Sequence, residues 1–558
     1  MKNVMITVIV WMTSLLAQER TVGLIYSSTV AADGYTLFAP MQSSTTYLIN
    51  NAGLLVHQWQ STLMPGHSVY LLENGNLLRT EMTKNRKFNG GGSGGRVKEM
   101  SWDGSTLWQY DYSSTTCLQH HDVEYLPNGN ILMIAWEVKT QTEAISAGRN
   151  PKLLIQNELW PDHLVEVQPT SDHSGQIVWE WHAWDHLIQD YDATRANYGV
   201  VADHPERIDL NYTQNGPNGG IADWLHINSV DYNTELDQIV LSVHNFSEVW
   251  IIDHSTTTAE AAGHTGGRYG KGGDLLYRFG NPQAFDHGSG ADQLLFAQHD
   301  AHWIPPGLNG AGNLLVFNNG TPNSTHDYSS VDEYLLPVDE SGFYSLLVDG
   351  KYAAPTRSWS YTAPSPQDFY ATNISGAQRL PNGNTLICNG PYGEFFEVDP
   401  AGATVWRYIN PVTQFGPLMQ GEIVDGGRLN KSNHVFRCTR YAPDDAAFID
   451  KDLTPGSPIE RYPSVVEETG CPATFQLGNY PNPFNPQTSI HFSLPYTTHV
   501  RLEIYNTAGQ SVALLVNETL PGGQHHVQWH ANDFSGGVYT CRLTIDKFST
   551  ARNMILLR

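Results

Sequence analysis

The sequence predicts an all-β chain: a six-bladed β-propeller, with seven or eight blades as alternative counts, followed by a small Ig-like β-sandwich. Three observations carry this. A hairpin unit recurs through residues 20–450. Each unit runs into a strand with a late aromatic residue. The last 80 or so residues break into six or seven short alternating runs.

The hairpin unit is clearest in His121 to Leu132, His67 to Leu78 and Ser375 to Leu386. Each has a short alternating strand, an Asn-Gly turn (Asn74-Gly75, Asn128-Gly129, Asn382-Gly383) and a second apolar strand. Asn-Gly favours positive φ at both turn positions and is a strong hairpin signal. Looser copies begin at His226 and His299, and a degenerate one at Gln420. The aromatic strands carry Trp108, Trp179 and Trp181, Tyr277, Trp359 and Trp406. A partial copy, Asp33 to Phe38 and on to Trp59, lacks an opening strand, which the segment near Gln420 is expected to supply. Such a chain closes a ring with its two ends. The period of roughly 70 residues exceeds that of simple propeller repeats, so the excess falls in loops such as 140–174, 184–223 and 255–295.

The flanks read differently. Residues 1–17 combine Lys2, an apolar run from Val4 to Leu16 and Ala17 before a polar pair. This is a secretory signal peptide pattern, too short for a membrane span. Pro and small residues mark 451–474 as linker. Residues 475–558 form the sandwich; its Pro481, Pro483 and Pro486 forbid a helix. Lys+Arg is 31 against Asp+Glu 56, a formal charge of −25, which argues against a nucleic-acid partner. None of the five Cys forms a CxxC pair. Cys388 and Cys438 occupy similar places in successive repeats and are the candidate disulfide.

The Asn479-Tyr480-Pro481-Asn482-Pro483-Phe484-Asn485-Pro486 box, Ile504-Tyr505-Asn506, Gly522-Gly523 and Ser535 to Tyr539 resemble the C-terminal sorting domain of the type IX secretion system. The resemblance implies export through the periplasm to the cell surface or medium, with that machinery as partner. Asp223-Trp224-Leu225-His226-Ile227-Asn228, Gln298-His299, Leu315 to Gly320 and Gln378 to Leu386 resemble the arylsulfotransferase family. That resemblance implies a propeller moving a sulfuryl group from a phenolic sulfate donor to a phenolic acceptor. It implies no nucleotide and no cofactor, and a histidine-centred ping-pong route.

His67, His121, His226 and His299 each stand seven residues before the turn position of their units. Equivalent positions in successive blades converge on one mouth of an axial channel. His226 and His299 are the expected catalytic pair. His67, His121, Asn228, Asn318 and Arg379 are expected to bind substrate, and no metal is assigned. The family's arginine shortly after the Asn-Asn-Gly box is missing: Gly320 leads only to His326. Arg379, Arg79 or His326 are the candidate replacements. Ser375 stands where a fifth His would be. Two alternatives stay open: a non-catalytic ligand- or glycan-binding propeller, and a metal-dependent hydrolase or lyase, since converging His also suit Zn²⁺ or Cu²⁺. The glycine-rich run Asn89 to Arg96 reads as a flexible loop near one face, because it lacks the ending of a phosphate loop.

Overall fold

The computed structural model describes residues 20–557 except 172, 214–220, 323, 425–431, 463–476, 495–497, 521–522 and 546–547. The expected signal segment and Cys471 lie outside the described residues. No helix among those described is long and apolar enough to cross a membrane. The chain forms two compact units, Met1–Tyr462 and Pro463–Arg558. Within the first, the stretch read as linker from residue 451 is bonded in place, with Pro458 bridged to Leu54 and Arg461 to Met419.

Among the described residues the first unit holds six larger antiparallel sheets, each built on a four-strand meander, and three two-stranded ones. The first strands of the six are Val435–Tyr441, Pro65–Leu71, Cys117–Tyr125, Ile227–Asn233, His299–Trp303 and Gly376–Arg379. Each touches the next in that order, and the last touches the first. The Asn-Gly hairpins form as read, but with a different turn. Only Gly75, Gly129 and Gly383 take positive φ; the preceding Asn does not. Each glycine N–H closes onto the residue three before it. The Asn Oδ1 accepts from the amide two residues on. This is a tight turn with one left-handed glycine rather than two left-handed central residues.

The late aromatics stitch neighbouring sheets together. In every sheet one aromatic on the fourth strand donates to a backbone carbonyl of the following sheet, between its third and fourth strands or, for Ser174, on the first residue of the fourth. Trp59 donates to Ser101 O at 3.1 Å, Trp108 to Ser174 O at 2.9 Å and Trp181 to Gly273 O at 2.7 Å. Tyr277 donates to Ala353 O at 2.9 Å, Trp359 to Pro400 O at 3.2 Å and Trp406 to Asn51 O at 2.9 Å. The sixth bond runs from the last sheet back to the first.

Both chain ends take part in closure. Val435–Tyr441 pairs antiparallel with Tyr35–Pro40, Phe38 opposite Cys438. The missing opening strand is therefore this segment and not the one near Gln420, part of which lies outside the described residues. Gln420 instead donates to Val22 O at 2.7 Å. The N-terminal strand Gly23–Ser27 adds a fifth member to the last sheet beside Thr404–Ile409. Cys388 and Cys438 are buried free thiols, so the expected disulfide is absent. Between the third and fourth sheets, His254 bonds Asp237 at 2.8 Å and Glu166 at 2.9 Å. Burial opposes its charge, but the two carboxylates outweigh it and raise its pKa to about 9.

In the second unit, Leu477–Tyr480, Gln487–Leu494 and Gly523–His530 form one sheet. Ser511–Leu520, Thr498–Tyr505, Gly537–Ile545 and Phe548–Leu556 form the other. Alternating residues meet in one core, including Ile490, Phe492, Leu502, Trp529 and Leu543. Phe484 of the proline box is buried at 5.4 Å from the Trp529 ring.

Two outcomes follow for the ring. Trp406→Phe removes the closing bond and should destabilise it by about 1–3 kcal/mol, seen as a lower denaturant midpoint; an unchanged midpoint counts against the clasp. The raised His254 pKa gives stabilisation that is complete below the unfolded imidazole value and lost as pH rises through about 9. The melting temperature of the wild type should therefore fall between pH 6.5 and pH 9.5, the ~6.5 start being the unfolded imidazole value, and His254→Gln should flatten that fall.

Candidate active site

The functional side chains come from the point where each first strand begins. His67, His121, His226 and Ser375 have φ of 108°, 51°, 55° and 88°. In the fifth sheet Ala297 and Asp300 take this conformation around His299. A non-glycine residue here costs roughly 1–2 kcal/mol. Register shifts in the same strands turn the side chains out of the normal alternation. Strain gathered at one place is the pattern of a functional site.

His67, His121 and His226, with the likewise left-handed Ile374, border a cavity of about 650 Å³. Its wall includes His67, His121, His226, His244 and His299, with Phe88, the Asn89–Ser93 loop and Thr372–Ile374. The imidazoles form a chain. Ring centres lie 5.4 Å apart for His67–His121, 4.6 Å for His121–His226, 5.1 Å for His226–His244 and 5.3 Å for His244–His299.

These histidines are chemically unequal. His226 Nδ1 bonds Asp223 Oδ2 at 2.5 Å, and Asp223 Oδ1 accepts the Trp136 indole N–H at 3.0 Å. Nε2 of His226 is left for the cavity. Burial opposes charging of this ring, but Asp223 outweighs it and lifts the pKa above the ordinary imidazole value. His67 and His244 are each pushed down to about 4, chiefly by burial. His121 and His299 are pushed well down, again chiefly by burial. One basic imidazole thus stands among four neutral ones. His299 is engaged at both ring nitrogens: Nδ1 bonds Asn319 Oδ1 at 2.8 Å, and Nε2 accepts from Ile374 N at 3.2 Å. His244 Nδ1 donates to Asn245 Oδ1 at 2.8 Å.

The glycine-rich loop read as flexible is part of the wall. His121 N donates to Gly92 O. A Cβ on Gly92, at φ 85°, would stand 2.0 Å from the His121 ring. Gly91 faces His226, its Cβ position 4.0 Å from Nε2. Glycine is needed here for close approach, not for mobility.

The structure brings together four of the seven predicted residues, His67, His121, His226 and His299. The others stand elsewhere. Asn228 donates to Gln298 O at 2.8 Å, joining the fourth and fifth sheets. Asn318 accepts from Phe296 N and donates to Leu294 O. Arg379 pairs with Glu333 at 2.7 Å. Of the other candidate cations, Arg79 is buried on Thr46 and backbone carbonyls, and His326 stacks on Phe296. None of these lines the cavity.

Two residues escaped sequence reasoning. His244 directly follows a second strand, as Asn319 does in the next sheet; that shared position was the available signal. Arg437 sits on the closing first strand and reaches four other sheets. It bonds Asp122 at 2.8 Å, Asp300 at 3.0 Å, the Tyr70 hydroxyl at 3.1 Å and Asn228 O at 3.1 Å. Burial works against its charge, and Asp122 and Asp300 outweigh that.

Among solved structures, a protein of unknown function from Bacteroides caccae is 12% identical, with 74% of this chain and 99% of that one covered and a TM-score of 0.38. Virginiamycin B lyase from Staphylococcus aureus is 8% identical, covering 72% and 87%, with a TM-score of 0.32. A putative 6-phosphogluconolactonase from Bacteroides fragilis is 11% identical, covering 74% and 99%, with a TM-score of 0.33. Likenesses this loose carry no functional argument. No curated protein matches the sequence. Residues 479–557 match the Secretion system C-terminal sorting domain, a type IX address that marks the chain for the cell surface or the medium. Residues 42–413, the greater part of the chain and all of the histidine cavity's strained positions, match Arylsulfotransferase (ASST), and the chain belongs to that family.

Proposed function

We propose that this protein is a secreted aryl sulfotransferase in which His226 Nε2 accepts the sulfuryl group. The observation that carries the reading is the Asp223–His226 pair at the cavity wall: one ring nitrogen is held at 2.5 Å by a carboxylate and the other is left for the cavity. Asp223 accepts the Nδ1 proton, fixes the tautomer and leaves a lone pair at Nε2. Nε2 attacks sulfur, the S–O bond to the aryl group breaks, and the phenolate departs. A phenol then attacks the sulfur of the sulfohistidine and frees the imidazole, giving ping-pong kinetics.

His299 is a positioning residue in this reading, because both of its nitrogens are engaged. His67, His121 and His244, neutral and adjacent, are placed to donate to sulfonate oxygens or to the leaving phenolate. The Gly90–Gly92 backbone borders the same space and adds amides. The six-sheet ring is read as a six-bladed β-propeller, supported by the cyclic contacts and the aromatic bonds. Residues 475–558 are read as an Ig-like sandwich serving as the export address, and residues 1–17 as the leader.

One observation favours a second reading, a ligand-binding ring without turnover: no Lys or Arg borders the cavity among the described residues. Incubation with 4-nitrophenyl sulfate separates the two. Phenol-dependent nitrophenolate release supports transfer; release without phenol means hydrolysis, and none means binding alone. In the transferase, His226→Ala should abolish exchange. Asp223→Asn should lower kcat by about 10²–10⁴-fold. The raised His226 pKa puts the acid limb of the rate profile above the ordinary imidazole value, and Asp223→Asn should move that limb to lower pH. An unchanged limb would remove Asp223 from the mechanism.

A further inference from the structure

A second histidine cluster lies outside the cavity. His186 follows the fourth strand of the third sheet, Ser174–His182. His264 and Asp274 lie between strands Glu248–Asp253 and Tyr277–Phe279 of the fourth sheet. His186 Nδ1 and His264 Nδ1 both point at Asp274 Oδ1, each at 2.8 Å. All three ligand atoms fall within 4.8 Å of one another. His186 and Asp274 are buried, while His264 is exposed and leaves one side open to solvent.

His186 Nε2 lies 2.9 Å from Ala261 O, which only accepts, so Nε2 carries the hydrogen. In the neutral ring Nδ1 then presents a lone pair to a carboxylate oxygen 2.8 Å away. An Nε2–H held by a backbone carbonyl, with Nδ1 turned to a shared centre, is the arrangement of a metal-ligating histidine. Gly273 keeps the room: a Cβ there would stand 2.6 Å from His186 Nε2. The Trp181 ring lies parallel to His186 at 5.6 Å, and its indole N–H forms the clasp to Gly273 O. Lys271, three residues before Asp274, turns its ammonium to the Tyr352 hydroxyl at 3.2 Å.

We propose that His186, His264 and Asp274 bind one Zn²⁺, with water as the fourth ligand on the exposed side. Two imidazoles and a carboxylate suit Zn²⁺ over the oxygen-seeking Mg²⁺ and Ca²⁺. The ion joins the loop leaving the third sheet to the long loop of the fourth, next to their aromatic clasp. Its role is to brace that junction, independently of the cavity chemistry.

The test loads the full chain with Zn²⁺, removes free metal by gel filtration and counts bound zinc by mass spectrometry. The cavity histidines are the competing site, so His226→Ala is the control. One equivalent should disappear in His264→Ala, whose exposed ring is removed without a core defect, and in Asp274→Asn. No equivalent should disappear in His226→Ala. Chelation should lower the melting temperature of the wild type and leave His264→Ala unmoved. Zinc retained by His264→Ala, zinc lost only in His226→Ala, or no zinc retained by the wild type would each overturn the proposal.

Discussion

Six hydrogen bonds from aromatic side chains, five of them buried and Trp359 partly so, hold the ring as a ring. A four-stranded sheet with apolar residues on both faces is stable only between two neighbours. Each interface here is fixed by an indole or phenol reaching from the rim of one sheet into the outer turn of the next. A buried Trp removes 150–250 Å² from water, roughly 4–6 kcal/mol of gross burial at 25 cal/mol per Å². The N–H bond adds direction, because a polar group this deep must find an acceptor. The stretch that presents the carbonyl varies widely in length, being four residues after Asn50, five after Met100 and 23 before Tyr277. The bond is retained in all six. Sheets of unequal loop content therefore keep one spacing, and that spacing lets the first strands meet at the axis.

At the axis a different constraint applies. Arg437 brings a positive charge into a place with little water, where an unpaired ion costs several kcal/mol. Asp122 and Asp300 pair with it from two other sheets, and Asp300 is drawn down to about 2 against the effect of burial. The guanidinium thereby ties the closing strand to the strands that carry His121, His226 and His299. Those histidines sit in left-handed backbone or beside it, which the local chain resists. The surrounding strands must over-determine them, and Arg437 belongs to that support. Its positive charge lies close enough to help keep His67 and His299 neutral.

The repeat was legible because it rests on local chemistry. Asn-Gly turns, alternating strands and late aromatics each leave a mark within a dozen residues. They located the hairpins at Asn74, Asn128 and Asn382 and the fourth strands of all six sheets. The histidine register was legible for the same reason, and four predicted residues share one cavity. What failed depended on distance. Arg379 and Asn318 carry suitable groups at suitable positions in the unit, but face Glu333 and backbone atoms instead of the cavity. The closing strand has no Asn-Gly turn to announce it, so Gln420 was preferred to Val435–Tyr441, and Arg437 was lost with that choice. The loop at Gly90–Gly92 looked like slack because glycine marks both freedom and close contact. Only the imidazole of His121, some thirty residues on, decides which.

The first sheet depends on the strand that the ribosome makes last of the six sheets. Tyr35–Pro40 has its inner partner some 400 residues downstream, in Val435–Tyr441. At 5–20 residues per second, synthesis of the intervening chain takes roughly 20–80 s. Throughout that time Tyr35–Pro40 has an unpaired backbone edge, the kind of surface on which chains aggregate. Until then the ring lacks both the partner of that edge and the guanidinium at the axis, since the closing strand supplies the two together. For an exported protein this is an advantage as well as a hazard. A chain that cannot lock shut before residue 441 has been made stays threadable, and the order of its strands acts as a delay timer for folding.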